Sequence, residues 1–409
     1  MDTITHIVLG AALGEVLAGE KLGKKALLIG AIAGNLPDID FVASFWLDSA
    51  RDVWFHRGIT HSLLFVVVIS LGLAWVARLA GRARGAGRLG PRMDGPAGAG
   101  RLGRRTDGPA GADGLAGAGE VNRSTAMTFK QWWLFFGVQM LVHIFIDAFN
   151  AYGTGWFEPF SSYRVAFNVL FVADPLYSCP LGIAFLALLI LRRDRPARKR
   201  WARFGLVLSS VYLCYCLVNK WRIDGVVERQ LRQQAIRYDR YFTTPTPLNS
   251  LLWFVVAADS SGDEYTGYRS VFDAPGRPIV FRLRPRGDSL LRAAGAVQAG
   301  GSGAAMAGGN GGVQAGEDGM VQGLRGHRDV GYLLRFAEGY YTVERWGDTL
   351  VFNVPRFGEM RGWDDPGARF VFHYYLNDPG HNGMVVQRGR LAGWDRKAWE
   401  DFLRRIAGN

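Results

Sequence analysis

Nine ionisable side chains interrupt the apolar pattern of the first 180 residues, and their types are those that bind divalent metals. They are His6, Glu15, Asp38, Asp40, His56, His61, His143, Asp147 and Asp174. Imidazole and carboxylate groups are the usual ligands of zinc and related ions. A site of this kind converts water into hydroxide near neutral pH and clamps the oxygens of an ester or phosphoester. The set therefore indicates metal-assisted hydrolysis.

The spacing within the set predicts which residues meet. His143 and Asp147 are four positions apart, so on a helix they share one face. Residues 56–61 read HRGITH, which places two imidazoles in a tight loop where a helix begins. Asp38 and Asp40 follow a proline that ends a helix, and they project the same way if that stretch is extended. Three histidines with three or four carboxylates suit a two-metal site.

Three residues near these ligands could take part in catalysis. Glu15 or Asp40 could act as the general base if it is not itself a ligand. Arg57 lies between the two motif histidines and could hold a phosphate by bidentate contact. A salt bridge from Arg57 to Asp48 or Asp52 explains that arginine equally well.

Each residue taken alone also has an ordinary structural explanation. His6 could lie at the membrane interface, Asp38 in a turn that ends a helix, and Glu15 beside a lysine. His143 and Asp147 could form a buried hydrogen-bonded pair. The remaining histidines lie in the loop-rich C-terminal region and are predicted to be structural: His327, His373 and His381. What favours a site is that nearly all of the nine fall on one predicted side of a membrane, where ionisable groups tend to be functional.

Four apolar runs could position these residues by spanning a bilayer, which takes about 20 residues. They are 62–77, 129–149, 176–191 and 204–218. Ahead of them, 7–17 and 26–36 are apolar over stretches that give about 16 Å of helix each, roughly half a bilayer. These two runs predict a re-entrant helical hairpin with its tip at 21–25.

Basic residues are concentrated in two loops, and this sets the predicted orientation. The clusters lie at 78–105 and 192–203, beside apolar runs, as in cytoplasmic loops of membrane proteins. With both loops inside, the outer ends of the helices carry the polar set. The clusters lack the aromatic residues that are interspersed among basic residues in nucleic-acid-binding modules. Membrane lipids are therefore the expected partner, and nucleic acid is not.

The chain divides into two predicted domains. Residues 1–220 form a membrane-embedded metal-site domain with a disordered Gly-rich insertion at 81–123, and 221–409 form an extracytoplasmic β-rich domain with a second insertion at 285–326. Alternating β-branched and aromatic runs in 248–378 predict an antiparallel sheet. Residues 230–240 are predicted to be a short amphipathic connector. The three cysteines lie in apolar stretches, so a disulfide framework is not expected.

Four strings carry a likeness to a known family: MDTITHIVLGAALGE, NLPDID, HRGITHS and HIFIDAFNAYGT, in this order. They resemble the membrane-bound metal-dependent hydrolases whose bacterial relatives include a LexA-regulated inner-membrane protein. The likeness covers about residues 1–220 and reaches weakly into 244–253. The Gly-rich insertions depart from the compact family pattern but fall outside these strings. The resemblance implies that the metal ligands correspond to His6, Asp38, Asp40, His56, His61, His143 and Asp147.

Together these features predict a mainly α, multi-pass protein of the bacterial inner membrane. It has a re-entrant N-terminal hairpin, about four transmembrane helices and a C-terminal β-rich domain. The predicted function is hydrolysis of an ester or phosphoester in a lipid-like substrate, with one or two divalent ions, expected to be zinc. Two alternatives remain: a metal-binding membrane protein without catalysis, such as a transporter or scaffold, and a soluble all-helical hydrolase. A transporter would carry polar residues through the middle of several spans, whereas this set is gathered at one end.

Overall fold

The computed structural model describes residues 1–86, 127–192, 196–293, 329–376, 382 and 394–409. These residues form the helices α1 (Thr3–Leu22), α2 (Lys25–Gly34), α3 (Ser49–Phe55), α4 (Leu63–Ala86), α5 (Phe129–Asp147), α6 (Pro175–Ile190), α7 (Ala197–Gln233), α8 (Asp288–Ala293), α9 (Val330–Ala337) and α10 (Arg396–Ile406). Short 3-10 helices cover Pro37–Phe45, Ile59–His61 and Pro355–Phe357. The strands are β1 (Arg240–Pro245), β2 (Leu252–Ala258), β3 (Glu264–Ser270), β4 (Arg282–Arg284), β5 (Thr342–Trp346), β6 (Thr349–Asn353) and β7 (His373–Tyr375).

The N-terminal hairpin is present, and glycines allow its two helices to pack very closely. A Cβ on Gly14 would lie 2.2 Å from the carbonyl oxygen of Ala26, and one on Gly30 would lie 2.3 Å from that of Gly10. Gly23, with φ +59°, makes the turn between the helices. The helices are unequal, contrary to the prediction of two matching eleven-residue runs: α1 has 20 residues and α2 has 10. At 1.5 Å per residue α1 is about 30 Å long, but it is not among the described helices that are apolar enough to cross a membrane.

Three helices in the described part of the chain are long and apolar enough to cross a membrane. They are α4 over Leu63–Arg82, α5 over Phe129–Asp147, and α7. The pair formed by α2 and Pro37–Ala43, bent by 57°, passes the same test together as a broken span or a re-entrant loop. The fourth predicted run forms α6, which at 16 residues is shorter than a typical span. Much of the apolar surface of α4 is exposed, as expected for a helix that faces lipid.

The C-terminal region contains two antiparallel sheets, of strand order β1-β2-β3-β4 and β5-β6-β7. Strand β2 is buried along its whole length because both faces of its sheet are covered. One face packs on Ile223, Val227 and Leu231 of α7, and the other packs on Phe402 of α10. The second sheet packs against α9 and also against Ala50 of α3, which joins it to the helical region.

Several helices and strands cross the positions at which the sequence predicts boundaries. Helix α7, continuous over 37 residues, extends through 220 and ends at Gln233, so it includes the first four residues of the connector predicted at 230–240. The insertion expected from 81 begins with the last turns of α4, and the one expected from 285 includes α8. Most of both predicted insertions lies outside the described residues.

Candidate metal centre

Four helix ends meet at one end of the helical region. Helices α1 and α4 begin there, and α2 and α5 end there. The 3-10 helix Pro37–Phe45 follows α2, and Ile59–His61 precedes α4. His143 and Asp147 occupy the last turn of α5, on one face, as their spacing predicts. The polar residues of four separate stretches of sequence therefore converge on one small region.

Asp40 organises the loop that carries His61. Its Oδ2 accepts hydrogen bonds from the backbone N–H of Arg57, at 2.7 Å, and from the Thr60 hydroxyl, at 3.1 Å. Arg57 has φ +61°, in the left-handed region, and Gly58 follows it. The tight turn of the HRGITH string is thus tied to the element that contains Asp38 and Asp40.

Four side chains bring one ligand atom each to within 4.8 Å of one another: Asp38, His61, His143 and Asp147. The Nε2 atoms of His61 and His143 are 3.2 Å apart. Oδ1 of Asp38 lies 3.5 Å from His61 Nε2 and 3.3 Å from His143 Nε2. Oδ2 of Asp147 lies 3.4 Å and 3.7 Å from the same two atoms. His61, His143 and Asp147 are buried, and Asp38 is partly exposed.

These separations match the edges of a tetrahedron around a small metal ion. Bonds of about 2.0–2.1 Å from zinc to nitrogen or oxygen require ligand–ligand edges of about 3.3–3.4 Å. The five edges of this set that are given above run from 3.2 to 3.7 Å. Oδ2 of Asp147 is also buried without a hydrogen-bond donor, a gap that an ion would fill. A buried Asp/His/His/Asp cluster of this shape fits a metal ion.

The hydrogen bonds of the two histidines direct their Nε2 lone pairs toward the cluster. Nδ1 of His143 lies 2.6 Å from the carbonyl oxygen of Gly34, which can only accept, so Nδ1 carries the proton. The Thr60 hydroxyl donates to Asp40, so it is free to accept from Nδ1 of His61, 3.1 Å away. In this tautomer of His61 both Nε2 atoms face each other with lone pairs, and a proton or a metal ion between them would remove the repulsion. Such orientation of ligands by outer hydrogen bonds is typical of metal sites.

The remaining contacts of Asp147 hold its carboxylate in place. His6 Nε2 is 3.1 Å from Oδ1, and the His6 ring stacks on that of His143 with centroids 3.7 Å apart. Nε of Arg57 lies 3.1 Å from Oδ2, and the amino group of Met1 contacts Oδ1. Burial would lower the pKa of His61, but its contacts with Asp147 and Asp38 outweigh burial and raise that pKa. The two neighbouring carboxylates therefore stabilise the cationic form of His61.

Comparison with known proteins decides the family. The family described as "YdjM inner membrane protein" matches residues 1–223, more than half of the chain. The chain belongs to the YdjM inner membrane protein family. Relatives include "Uncharacterized protein YfhP" of Bacillus subtilis, 28% identical over 43% of this chain and 42% of that protein. "Inner membrane protein YbcI" of Escherichia coli is 32% identical over 18% of this chain and 43% of that protein.

The chain spans under half the length of these curated relatives. Neither relative's name states an activity, and no solved structure matches the chain. The YdjM family match and the apolar helices make it a multi-pass protein of the inner membrane, which confirms the family and the location expected from the sequence.

Not all of the predicted ligands of this YdjM family chain meet at the centre. Asp40 and His56 adjoin it: His56 Nδ1 is 3.4 Å from Asp40 Oδ1, and Asp40 Oδ2 is 3.5 Å from His61 Nδ1. His6 lies behind Asp147 and His143 rather than among the four converging atoms. The condition under which Asp38 and Asp40 would project the same way is not met, because the segment is a 3-10 helix and is not extended. Asp38 and Asp40 therefore point to opposite nitrogens of His61.

Two predicted catalytic residues have other partners. Glu15 forms a bidentate ion pair with Arg198 of α7, at 2.9 and 2.7 Å. It is nine residues along α1 from His6, about 13 Å at 1.5 Å per residue, so it is not placed to act as a base at the centre. The guanidinium of Arg57 contacts Asp147, Asn150 and the carbonyl of Met1 instead of Asp48 or Asp52. Arg57 is therefore committed to positioning Asp147 and is not free to grip a phosphate.

The other ionisable residues lie elsewhere. Asp174 caps the start of α6, accepting from Leu176 N at 2.9 Å and from Tyr212 OH at 2.8 Å, and burial raises its pKa to about 6. His373 lies on β7, where its Nδ1 donates to the carbonyl of Phe370 at 3.0 Å. His327 and His381 lie outside the described residues.

Sequence reasoning missed the residues that support the ligands. Thr60 sits inside the HRGITHS string, and its hydroxyl bridges Asp40 and His61. Gln139, one turn before His143, donates to the carbonyl of Gly10 at 3.0 Å and so ties α5 to the hairpin. The GxxxG spacings 10–14 and 30–34 were the available signal for the close approach of α1 and α2.

Proposed function

We propose that this protein is a metal-dependent hydrolase of the inner membrane, acting on an ester or phosphoester of a lipid-like substrate. The observation that carries the proposal is the near-tetrahedral arrangement of Asp38, His61, His143 and Asp147, with edges of 3.2 to 3.7 Å. Membership of the YdjM family places this centre in a membrane protein. A divalent ion, expected to be zinc, lowers the pKa of bound water and polarises an ester oxygen.

The chain's own residues divide the remaining work. His61, His143 and Asp147 would hold the ion from the buried side, and Arg57 and His6 keep Asp147 in position. Asp38 is 15% exposed while those three are at most 1% exposed, so substrate and water reach the centre along the Asp38 side. Asp40 and the 35%-exposed His56 form a pair beside that opening and are the proposed route for a proton to solvent.

The proposed topology follows from the two basic loops. We infer that the clusters at 78–105 and 192–203 lie in the cytoplasm, as basic loops do. Lys24 and Lys199, at the other end of the helices from the metal centre, agree with this polarity. The centre then lies at the outer face, together with the β-rich region. In this arrangement α4, α5 and α7 span the bilayer, and the 16-residue α6 also crosses it, because it connects the outer face to the cytoplasmic loop at 192–203. The N-terminal hairpin and its bent pair pack beside these helices.

One observation favours a second candidate, a metal site without catalysis. Structural zinc sites are closed by four protein ligands, whereas catalytic sites keep a position for water. If all four residues bind one ion in a tetrahedron, no position remains. The hydrolase then requires five-coordination or displacement of Asp38, the most exposed of the four. Asp38→Asn distinguishes the two candidates. It should weaken metal binding if the site is structural and closed, whereas in a catalytic site it should leave a coordination position for water.

The test is hydrolysis of a phospholipid and of a soluble p-nitrophenyl ester by the purified protein in vesicles. We expect activity that is lost on chelation, restored by zinc, and absent in His143→Ala. The matched control is His373→Ala, a histidine of β7 remote from the centre. If the protein binds metal at full occupancy but hydrolyses neither substrate, the hydrolase proposal fails. The site is then a metal site without catalysis.

A further inference from the structure

The segment 37–46 has two faces of opposite character. Asp38 and Asp40 turn inward to the histidines of the metal centre. The outward face is formed by five exposed apolar side chains, here called the aromatic edge: Ile39, Phe41, Val42, Phe45 and Trp46. Phe45 is 72% exposed and Trp46 is 78% exposed. The rings of this edge contact one another, with Phe41–Phe45 centroids 5.7 Å apart and Phe45–Trp46 centroids 6.2 Å apart.

The aromatic edge continues the lipid-facing surface of the helices. It follows α2, with which Pro37–Ala43 forms the bent candidate span. Beside it, Ile59 and the first residues of α4, a candidate span, are also exposed and apolar. Phe157 and the 80%-exposed Phe160 lie in the adjoining loop, which is tied to α4 by a hydrogen bond from Leu63 N to Trp156 O at 3.0 Å.

The chemistry of this surface fits lipid. A contiguous exposed apolar patch of this kind marks a membrane or protein contact. Aromatic rings are enriched where the acyl chains of a bilayer meet the headgroups. The two carboxylates of the segment are only 15% and 9% exposed and contact histidines of the centre, so the exposed surface of the segment is mainly apolar. Continuity with a spanning helix favours the bilayer over a protein as its occupant.

We propose that the aromatic edge is inserted at the acyl–headgroup boundary and holds the metal centre at headgroup depth. A membrane lipid then reaches the centre laterally, past Ile39 and Phe41, with its headgroup ester beside Asp38. Insertion of the edge depends only on the membrane location of the protein. Lipid as the molecule cleaved rests on the proposed function.

Photo-crosslinking tests the insertion without reference to activity. The protein carries p-benzoylphenylalanine in place of Phe45 and is illuminated in vesicles of phosphatidylethanolamine and phosphatidylglycerol. Mass spectrometry should find lipid adducts at this position. The matched control replaces Phe272, a 58%-exposed aromatic of the β-rich region, and should give few or none. Crosslinks from Phe45 to protein, or equal lipid labelling at both positions, would overturn the proposal.

A double variant tests the lateral path to the centre. Phe45→Ser with Trp46→Ser should keep full metal content, because neither residue contacts a ligand. We expect KM for vesicle phospholipid to rise about tenfold or more, with hydrolysis of a soluble ester unchanged. Equal loss on both substrates, or no loss on either, contradicts the lateral path. If the wild type cleaves neither substrate, the proposed function fails, and the crosslink alone decides whether the edge is inserted.

Discussion

His61 is the residue that connects the two carboxylates of the 3-10 helix with the end of α5. Its Nε2 faces Asp38, Asp147 and His143, and its Nδ1 lies beside Thr60 and Asp40. A histidine held at both nitrogens has a fixed tautomer and a fixed ring plane. The side chains behind the ligands therefore matter for metal affinity as well as the ligands themselves.

Thr60→Ala should weaken metal binding. The substitution removes the hydroxyl that donates to Asp40 and accepts from His61, so the imidazole loses its orientation. Loss of an outer partner of this kind typically costs about 10–100-fold in metal affinity. Competition with a chelator of known affinity measures the change. Thr60→Ser keeps the hydroxyl and should bind as the wild type does, and equal affinity in both variants would exclude the proposed role.

At the scale of single residues, the sequence predicts that several of the ligands lie close together, but it does not predict the partner of each side chain. Residue types and the HRGITH string are sufficient to place His61, His143 and Asp147 together. The role of Glu15 was not predictable, because its partner Arg198 lies 183 positions away on another helix. The directions of Asp38 and Asp40 depend on the backbone of 38–40, which is helical rather than extended.

At the scale of elements, the hairpin of α1 and α2 supports the metal centre. The carbonyl of Gly34, at the end of α2, fixes the tautomer of His143, and His6 of α1 packs on the same imidazole ring. The side chain of Gln139 on α5 donates a hydrogen bond to the carbonyl oxygen of Gly10 on α1. Because the glycines let α1 and α2 pack closely, the start of α1 and the end of α2 are both held at the centre.

Gly14→Ala should destabilise the protein and reduce its metal content. The new methyl group would lie 2.2 Å from the carbonyl oxygen of Ala26, so α1 and α2 must separate. Overpacking of this kind typically costs about 1–3 kcal/mol. Gly72→Ala on α4 is the matched control, because a Cβ there meets nothing within 4 Å. Thermal unfolding in detergent should show a lower Tm for Gly14→Ala alone, and equal Tm values would contradict the packing described here.

The Glu15–Arg198 pair should be structural. Glu15→Ala leaves a buried guanidinium without its partner, a loss that typically costs about 3–5 kcal/mol. Replacing both residues by leucine should recover most of this stability. We expect the folded double variant to retain metal and any hydrolase activity. A stable double variant that has lost activity with its metal still bound would restore Glu15 as a catalytic candidate.

At the scale of the whole molecule, α7 and the packing of α3 against α9 join the β-rich region to the helical region. The last turns of α7 pack on the first sheet, and Arg356 of the C-terminal region donates to the carbonyl of Ala151 at 2.8 Å, close to the centre. Alternating apolar residues predicted the strands of this region. The sheet order and its attachment to α3 rest on contacts between residues far apart in sequence, which no local pattern encodes.

Reporter fusions test the orientation. The basic loops predict a cytoplasmic position for reporters placed after Arg105 and after Arg200. A reporter at Gly262, beyond α7, should lie on the outer side, because α7 crosses the bilayer once. A cytoplasmic result at all three positions would remove α7 as a span and contradict the outer position of the β-rich region.

Elemental analysis of the purified protein tests the central claim most directly. The wild type should contain a divalent metal, expected to be zinc, at about one or two ions per chain. His61→Ala and His143→Ala should each be depleted while remaining folded by circular dichroism. His373→Ala should retain the metal, because that residue lies on β7 of the second sheet, outside the four-residue cluster, and bonds to the carbonyl of Phe370. Full occupancy in both His61→Ala and His143→Ala, or depletion in His373→Ala alone, would contradict the account.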